Sequence, residues 1–160
     1  MIIRPKDAIL YDKQVHFSVF VSTQLIPYKV PMHRIEHSNM NMLEDQIKAL
    51  KDNHKKIWFL SDGVFSMFGD ILLVDALNEL MTKYEQLHIY IDDAHGMAWA
   101  GKNGSGTVFD KIIHKDRLVL ATTMAKAFGS IGGVIVFPNE KLYTTIKTFG
   151  GPLSLSLIHI

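Results

Sequence analysis

Six side chains in this sequence have types that do chemistry, and they cluster in a few short stretches. Lys126 and Thr123 lie in TTMAKAFGSIGG (Thr122–Gly133), and Asp92 and His95 in YIDDAHG (Tyr90–Gly96). Ser66 lies in DGVFSMFGD (Asp62–Asp70) and His16 in YDKQVHFSV (Tyr11–Val19). An amine can attack a carbonyl carbon, and a carboxylate can hold a cationic nitrogen. Imidazole and hydroxyl groups can share a proton with an oxygen or hold an anion.

Two chemistries fit an apolar run that ends in Asp92-Asp93-Ala94-His95. One is a DExH-type ATPase, in which acids hold Mg²⁺ and polarise water. That chemistry needs a GxxxxGK[ST] phosphate loop. AGKNGSG (Ala100–Gly106) has glycines and a lysine in the wrong order, which leaves the ATPase reading weaker but open. The other is a cofactor pocket. Lys126 sits among Ala, Phe and Gly, a poorly solvated setting that favours the neutral amine of Schiff-base chemistry. Gly129, Gly132 and Gly133 let backbone pass close to a planar group. Thr123 offers a hydroxyl to a phosphate, Asp92 can pair with a protonated pyridine nitrogen, and His95 can donate to a phenolic oxygen. That donor set suits pyridoxal 5'-phosphate (PLP) as an electron sink.

Elements must place these groups together, and the pattern supplies them. Apolar runs at Ala8–Asp12, Lys55–Gly63, Leu87–Asp93, Arg117–Thr123 and Gly132–Pro138 read as strands, with Tyr28–Ile35 extended. Helical spacing covers His16–Leu25, Asn41–Lys51 (through Met42, Ile47 and Leu50) and Leu73–Tyr84 (through Leu73, Ala76, Leu77 and Leu80). Asn139 is an N-cap for a helix over Asn139–Lys147. Strands alternating with amphipathic helices predict an α/β fold, a three-layer α/β/α sandwich with a mostly parallel sheet. Ligands of such sheets bind beyond the carboxyl ends of the strands. Three strands here end in polar clusters: Ser61-Asp62-Gly63, Asp92 to His95, and Thr122 to Lys126.

Composition removes several classes. A net charge of +1 leaves no electrostatic footprint for nucleic acid or an anionic membrane. With no cysteine, disulfides, thiolate catalysis and Cys-ligated zinc are excluded, in keeping with a reducing cytosol. MIIRPKD meets charge too early for a signal peptide, and no apolar run approaches the about 18 residues of a membrane span. His33 and His37 have i, i+4 spacing, but Pro31 makes that segment extended, so no metal site is expected. Trp58, Trp99 and the methionines read as core or pocket wall, and Asp93 as structural. Gly101, Gly104 and Gly106 read as turns under the site.

DGVFSMFGD, IDDAHGMAWAGKNGSG and TTMAKAFGSIGG resemble, in order and spacing, the central motifs of the α-oxoamine synthase family. These are fold-type-I PLP enzymes that condense an amino acid with an acyl-CoA and release CO₂. YDKQVHFSV resembles the family's Asp-x-x-x-His-x-Ser, and IEHSNMNMLE its His-Asn-Asp-Met-x-x-Leu-Glu. The resemblance implies that Lys126 forms the Schiff base and shuttles the Cα proton. It also implies that Asp92 binds the pyridine nitrogen, that His95 and Ser66 contact the phenolic oxygen side, that His16 stacks on the ring, and that Thr123 contacts the phosphate. Phe68 and Thr122 depart from the family pattern. An upstream glycine–asparagine phosphate loop and a C-terminal domain with a carboxylate-binding arginine are not in the sequence. The expectation is therefore a truncated large domain over 1–154, inactive alone, from a homodimeric parent. Leu155–Ile160 (LSLIHI) matches the translation of CTG TCT CTT ATA CAC ATC, a transposon end used to fragment DNA. It is expected to be an adaptor-derived tail in which His159 has no function. Native coding sequence past codon 155 in the source DNA would contradict that.

Overall fold

The structure, a computed structural model, describes residues 2–149. The expected boundary at 154 and the Leu155–Ile160 tail lie outside the described residues. Six strands form one sheet: β1 (Ala8–Asp12), β2 (Met32–Ile35), β3 (Ile57–Asp62), β4 (Leu87–Asp92), β5 (Leu118–Thr123) and β6 (Gly133–Val136), in the order β2-β1-β3-β4-β5-β6. All neighbours pair in parallel except β5 and β6. Parallel pairing needs a crossover long enough to return the chain to the same edge. The short Met124–Gly132 connection is too brief for that, so β6 comes back antiparallel.

Helices cover both faces. On one side α2 (Met40–Leu50) and α3 (Val74–Lys83) pack with the 94–117 segment. Their core joins Leu43, Ile47, Leu77 and Met81 to Phe59, Ile89, Ile91, Val108 and Leu120. On the other side α1 (Phe17–Gln24) contributes Val19 and α4 (Glu140–Phe149) contributes Leu142, against Ile9, Trp58, Leu60 and Val119. The architecture is the expected three-layer α/β/α sandwich with a mostly parallel sheet. β3 is central and buried along its whole length, which explains its unbroken apolar run. In β4 burial alternates, Leu87, Ile89 and Ile91 facing α2 and α3, and His88, Tyr90 and Asp92 facing the α1 side.

The expected faces hold at Ile47, Leu77 and Leu80, which are buried, and the core also takes neighbours that the spacing did not single out. α2 buries Leu43 and Ile47, with Met42 and Leu50 only partly covered. α3 buries Val74, Leu77, Leu80 and Met81, while Leu73 is exposed. The buried face of α3 also includes Asn78. Its amide donates to Lys111 O at 2.9 Å and accepts from Ile113 N–H at 3.0 Å, so a buried polar group is satisfied. Asn139 Oδ1 accepts from Leu142 N–H at 2.9 Å and caps α4 as expected. Among the described residues no helix is long and apolar enough to cross a membrane.

Candidate active site

Strand parity brings the chemistry together. Along β3, Trp58 and Leu60 face the α1 side, so Asp62 does too; along β4, Tyr90 and Asp92 do the same; along β5, Val119 puts Ala121 and Thr123 there. Asp62 pairs with Asp92 and Asp92 with Ala121 in the ladder. Gly63 N–H donates to Asp92 O at 2.8 Å. At these carboxyl ends lies a cleft of about 220 Å³ lined by His16, Ser18, Asp92, Ala94, Ala121, Thr122, Thr123 and Lys126. Four of the expected residues, His16, Asp92, Thr123 and Lys126, therefore converge on one cavity.

His16 is the N-cap residue of α1. Its Nδ1 accepts from Ser18 N–H at 3.3 Å and lies 2.7 Å from Ser18 Oγ. An Nδ1 that accepts a backbone N–H leaves the ring proton of the neutral form on Nε2. Ser18 closes the Asp-x-x-x-His-x-Ser segment but was given no role from the sequence; its place two residues after His16 is an N-cap pattern. Asp92 Oδ1 accepts from Ala94 N–H at 3.1 Å. Thr123 Oγ1 donates to Gly132 O and accepts from Ala125 N–H, both at 3.2 Å. It holds the Lys126 turn closed, and contact with a phosphate requires it to release Gly132.

Two expectations are corrected, and one expected site residue, Ser66, lies apart from the cleft. Lys126 is exposed, as are Ala125, Ala127 and Phe128 around it. These apolar neighbours are exposed themselves and do not bury the Lys126 side chain. Ser66 lies on the exposed Ser66–Phe68 turn and does not line the cleft. Trp99 and Met67 are not core: they are 62% and 82% exposed. His95 is partly buried beyond β4. Burial first, then the positive charge of Lys126, holds its imidazole below the ordinary histidine value, with Asp92 opposing.

Asp62 carries a role the motif reading did not give it. It is 3% exposed, and its Oδ1 accepts from His16 N–H at 3.0 Å. Burial, and then the charges of Asp92 and Asp12, push its carboxyl up to about 7, against the pull of the His16 N–H and of Lys126. Period-two counting from Trp58 through Leu60 would have placed Asp62 on the site face. Tyr90 is driven to about 12 by burial and by Asp92 and Asp62.

The second acid of the pair does different work. Asp93 is fully buried and accepts from Thr107 N–H at 2.6 Å and from Thr107 Oγ1 at 2.8 Å. Burial raises its carboxyl despite these bonds. Glycines cage it. A Cβ on Gly63 would fall 2.7 Å from Asp93 Cγ, and one on Gly106 (φ +93°) would fall 3.1 Å from it. Asp93 thus fixes the 94–108 loop under the cleft, the structural role expected of it. The AGKNGSG stretch closes a short turn over Lys102–Gly104 and opens no helix that could cradle phosphates. Lys102 N–H donates to Asp110 Oδ2 at 2.8 Å.

His37 lies in the turn after β2, not on the strand with His33. Its Nδ1 is 2.9 Å from Asp12 Oδ1, and its Nε2 meets Asp70 Oδ2. Ser38 N–H donates to Asp12 Oδ2 at 3.0 Å. The cluster ties the ends of β1 and β2 to the hairpin that carries Ser66, and its ring packs edge-on against Phe65. Burial works against the charged imidazole, but Asp12 and Asp70 together outweigh it and raise His37 above the ordinary value.

Comparison with known proteins gives a consistent picture. A family model described as aminotransferase class I and II matches residues 1–158. A serine palmitoyltransferase of Bacteriovorax stolpii is 35% identical over 82% of this chain and 30% of its own length. The 8-amino-7-oxononanoate synthases of Coprothermobacter proteolyticus and Fervidobacterium nodosum are 40% and 37% identical, over 79% and 94% of this chain and 32% and 38% of theirs. The chain thus spans about a third of the length of the curated relatives it matches. The fold agrees with solved serine palmitoyltransferases. One from Sphingomonas wittichii superposes with a TM-score of 0.82, at 24% identity, over 95% of this chain and 37% of that one. One from S. paucimobilis with a bound PLP–myriocin aldimine gives 0.78, at 20% identity, over 91% and 36%.

Proposed function

The chain belongs to the aminotransferase class I and II family, and on that premise we propose that it forms the cofactor-holding part of an α-oxoamine synthase. The activity is condensation of an amino acid with an acyl-CoA, releasing CoA and CO₂, with 8-amino-7-oxononanoate synthesis in biotin formation as the preferred member. Glycine C-acetyltransferase and serine palmitoyltransferase activities are the alternatives within the family. The observation that carries the proposal is the convergence of His16, Asp92, Thr123 and Lys126 on one cleft at the carboxyl ends of β4 and β5.

The donor set fits pyridoxal phosphate: an amine for its aldehyde, a carboxylate for its ring nitrogen, an imidazole for its face and a hydroxyl for its phosphate. When bound, this cofactor supplies the electron sink for charge developing at the amino acid's α-carbon. Asp92 holds the ring nitrogen in its cationic form. Lys126 would hold the aldehyde end, and its free amine would take the proton from the amino acid's α-carbon. His16 covers the ring face, its position fixed by the Ser18 N-cap. His95 donates to the phenolic oxygen. Ser66 is assigned to that oxygen from its motif alone, because its turn stands outside the cleft. Catalysis belongs to a longer protein, which we take to be a cytoplasmic homodimer. The 160 residues are expected not to turn over alone.

Titrating the protein with pyridoxal phosphate tests this. A new absorption band should appear, vanish in Lys126→Ala, and require about tenfold or more cofactor in Asp92→Ala, which loses a charge-assisted bond. Wild-type protein without a band would contradict the proposal. ATP turnover would favour the ATPase reading.

A further inference from the structure

Beside the cleft, buried behind its lining, lies a second carboxyl that the proposed chemistry does not use. Asp62 stands directly across the β3–β4 ladder from Asp92, on the same face of the sheet, and is almost fully buried. An acid buried beside another acid is unfavourable unless its position does something. Its one hydrogen bond to a distant segment runs to His16, 46 residues earlier in the chain.

We propose that Asp62 is a positioning residue for this site: its carboxyl at the end of β3 pins the His16 backbone and so holds the His16 ring at the cleft. This rests on the proposed cofactor reading for its purpose, though not for its geometry. His16 is gripped at two points. Asp62 Oδ1 takes its backbone N–H, and Ser18 takes its ring nitrogen through the first turn of α1. The Ser18 contact fixes the ring relative to α1 but makes no bond to the strand ends beside Asp92. The Asp62 contact fixes α1's first residue to the strand next to Asp92. Without it the imidazole and the Asp92 carboxylate are no longer held to a common frame.

The surroundings of Asp62 fit that role. Asp92, Asp12 and Lys126 act on it electrostatically, as it does on Tyr90, and its carboxyl titrates at about 7. In its protonated form Asp62 does not compete with Asp92 for a cation, and in either form a carboxyl oxygen accepts from His16 N–H. Asparagine reproduces that protonated form closely, since it keeps the acceptor and lacks the charge.

The test compares Asp62→Asn, Asp62→Ala and Asp62→Leu, the last keeping the side-chain volume. Two readouts are taken: hydrogen exchange of the His16 amide by NMR without cofactor, and pyridoxal phosphate uptake by absorbance. Asp62→Asn should keep both within about threefold of wild type. Asp62→Ala and Asp62→Leu should lose about tenfold or more His16 protection, the worth of one hydrogen bond to a carboxyl, with a parallel loss of uptake. Wild-type protection and uptake in Asp62→Leu would overturn the proposal. So would an Asp62→Asn as impaired as Asp62→Leu. If His16 protection responds as stated but wild type takes up no cofactor, the positioning role stands and the cofactor reading falls.

Discussion

Replacing Asp93 by alanine separates the two acids of the Asp92-Asp93 pair. The Asp93 carboxylate is fully buried and accepts from both the N–H and the hydroxyl of Thr107. Removing it strands those two donors inside the protein, each costing about 1–3 kcal/mol. The loss should be about 2–6 kcal/mol, a large share of the roughly 5–15 kcal/mol that holds a domain together. The glycine cage keeps the neighbouring backbone close, so no side chain moves in to replace the lost acceptor. Asp92 is only partly buried and makes one bond, to Ala94 N–H at 3.1 Å. Its alanine variant should lose about 1 kcal/mol or less. Urea unfolding followed by circular dichroism reads both. The Asp93→Ala midpoint should fall much further than the Asp92→Ala midpoint, with unchanged slopes. Cofactor uptake should show the reverse order when compared well below both midpoints. Equal midpoints, or an Asp93→Ala loss under about 1 kcal/mol, would refute the division of roles.

The helix faces and the His37 cluster give two further tests. Leu77→Ala removes a fully buried side chain of α3 and should cost about 3 kcal/mol in urea unfolding, whereas the exposed Leu73→Ala should cost under about 1 kcal/mol; the opposite ranking would contradict the observed face. His37 is raised above its ordinary value in the folded protein, so its clamp contributes fully below about pH 6.5 and fades as pH climbs through the raised value. Relative to His37→Gln, wild-type protein should therefore lose stability between pH 6 and 9 in urea melts, and a wild type that instead gains on the variant would contradict the sign.

Much of this architecture was legible because periodicity is a local property. The all-apolar β3 and the alternating β4 announced their burial, and the polar residues closing β3, β4 and β5 marked the ligand edge before any side chain was placed. Less legible was anything decided by a distant partner. A polar Asn78 sits on the buried face of α3 because it is satisfied by Lys111 and Ile113, on a loop more than thirty positions away. Lys126 looked enclosed because its sequence neighbours are apolar, but those neighbours are exposed themselves and do not bury it. Ser66 shares its motif with Asp62, but only Asp62 stands beside Asp92 on the sheet, because the hairpin after β3 carries Ser66 onto an exposed turn. Asp62 itself was readable in principle from strand parity. Its bond to His16 was not, since it joins a strand end to a helix cap that pairing alone does not bring together.

The central claim is that Lys126 is where this protein holds pyridoxal phosphate. Incubating the protein with the cofactor, reducing the bond with borohydride and mapping the labelled peptide by mass spectrometry tests it most directly. The account predicts a label on Lys126, retained at reduced occupancy in Asp92→Ala and absent in Lys126→Ala. An unlabelled Lys126, with label scattered over other lysines or missing altogether, would contradict it.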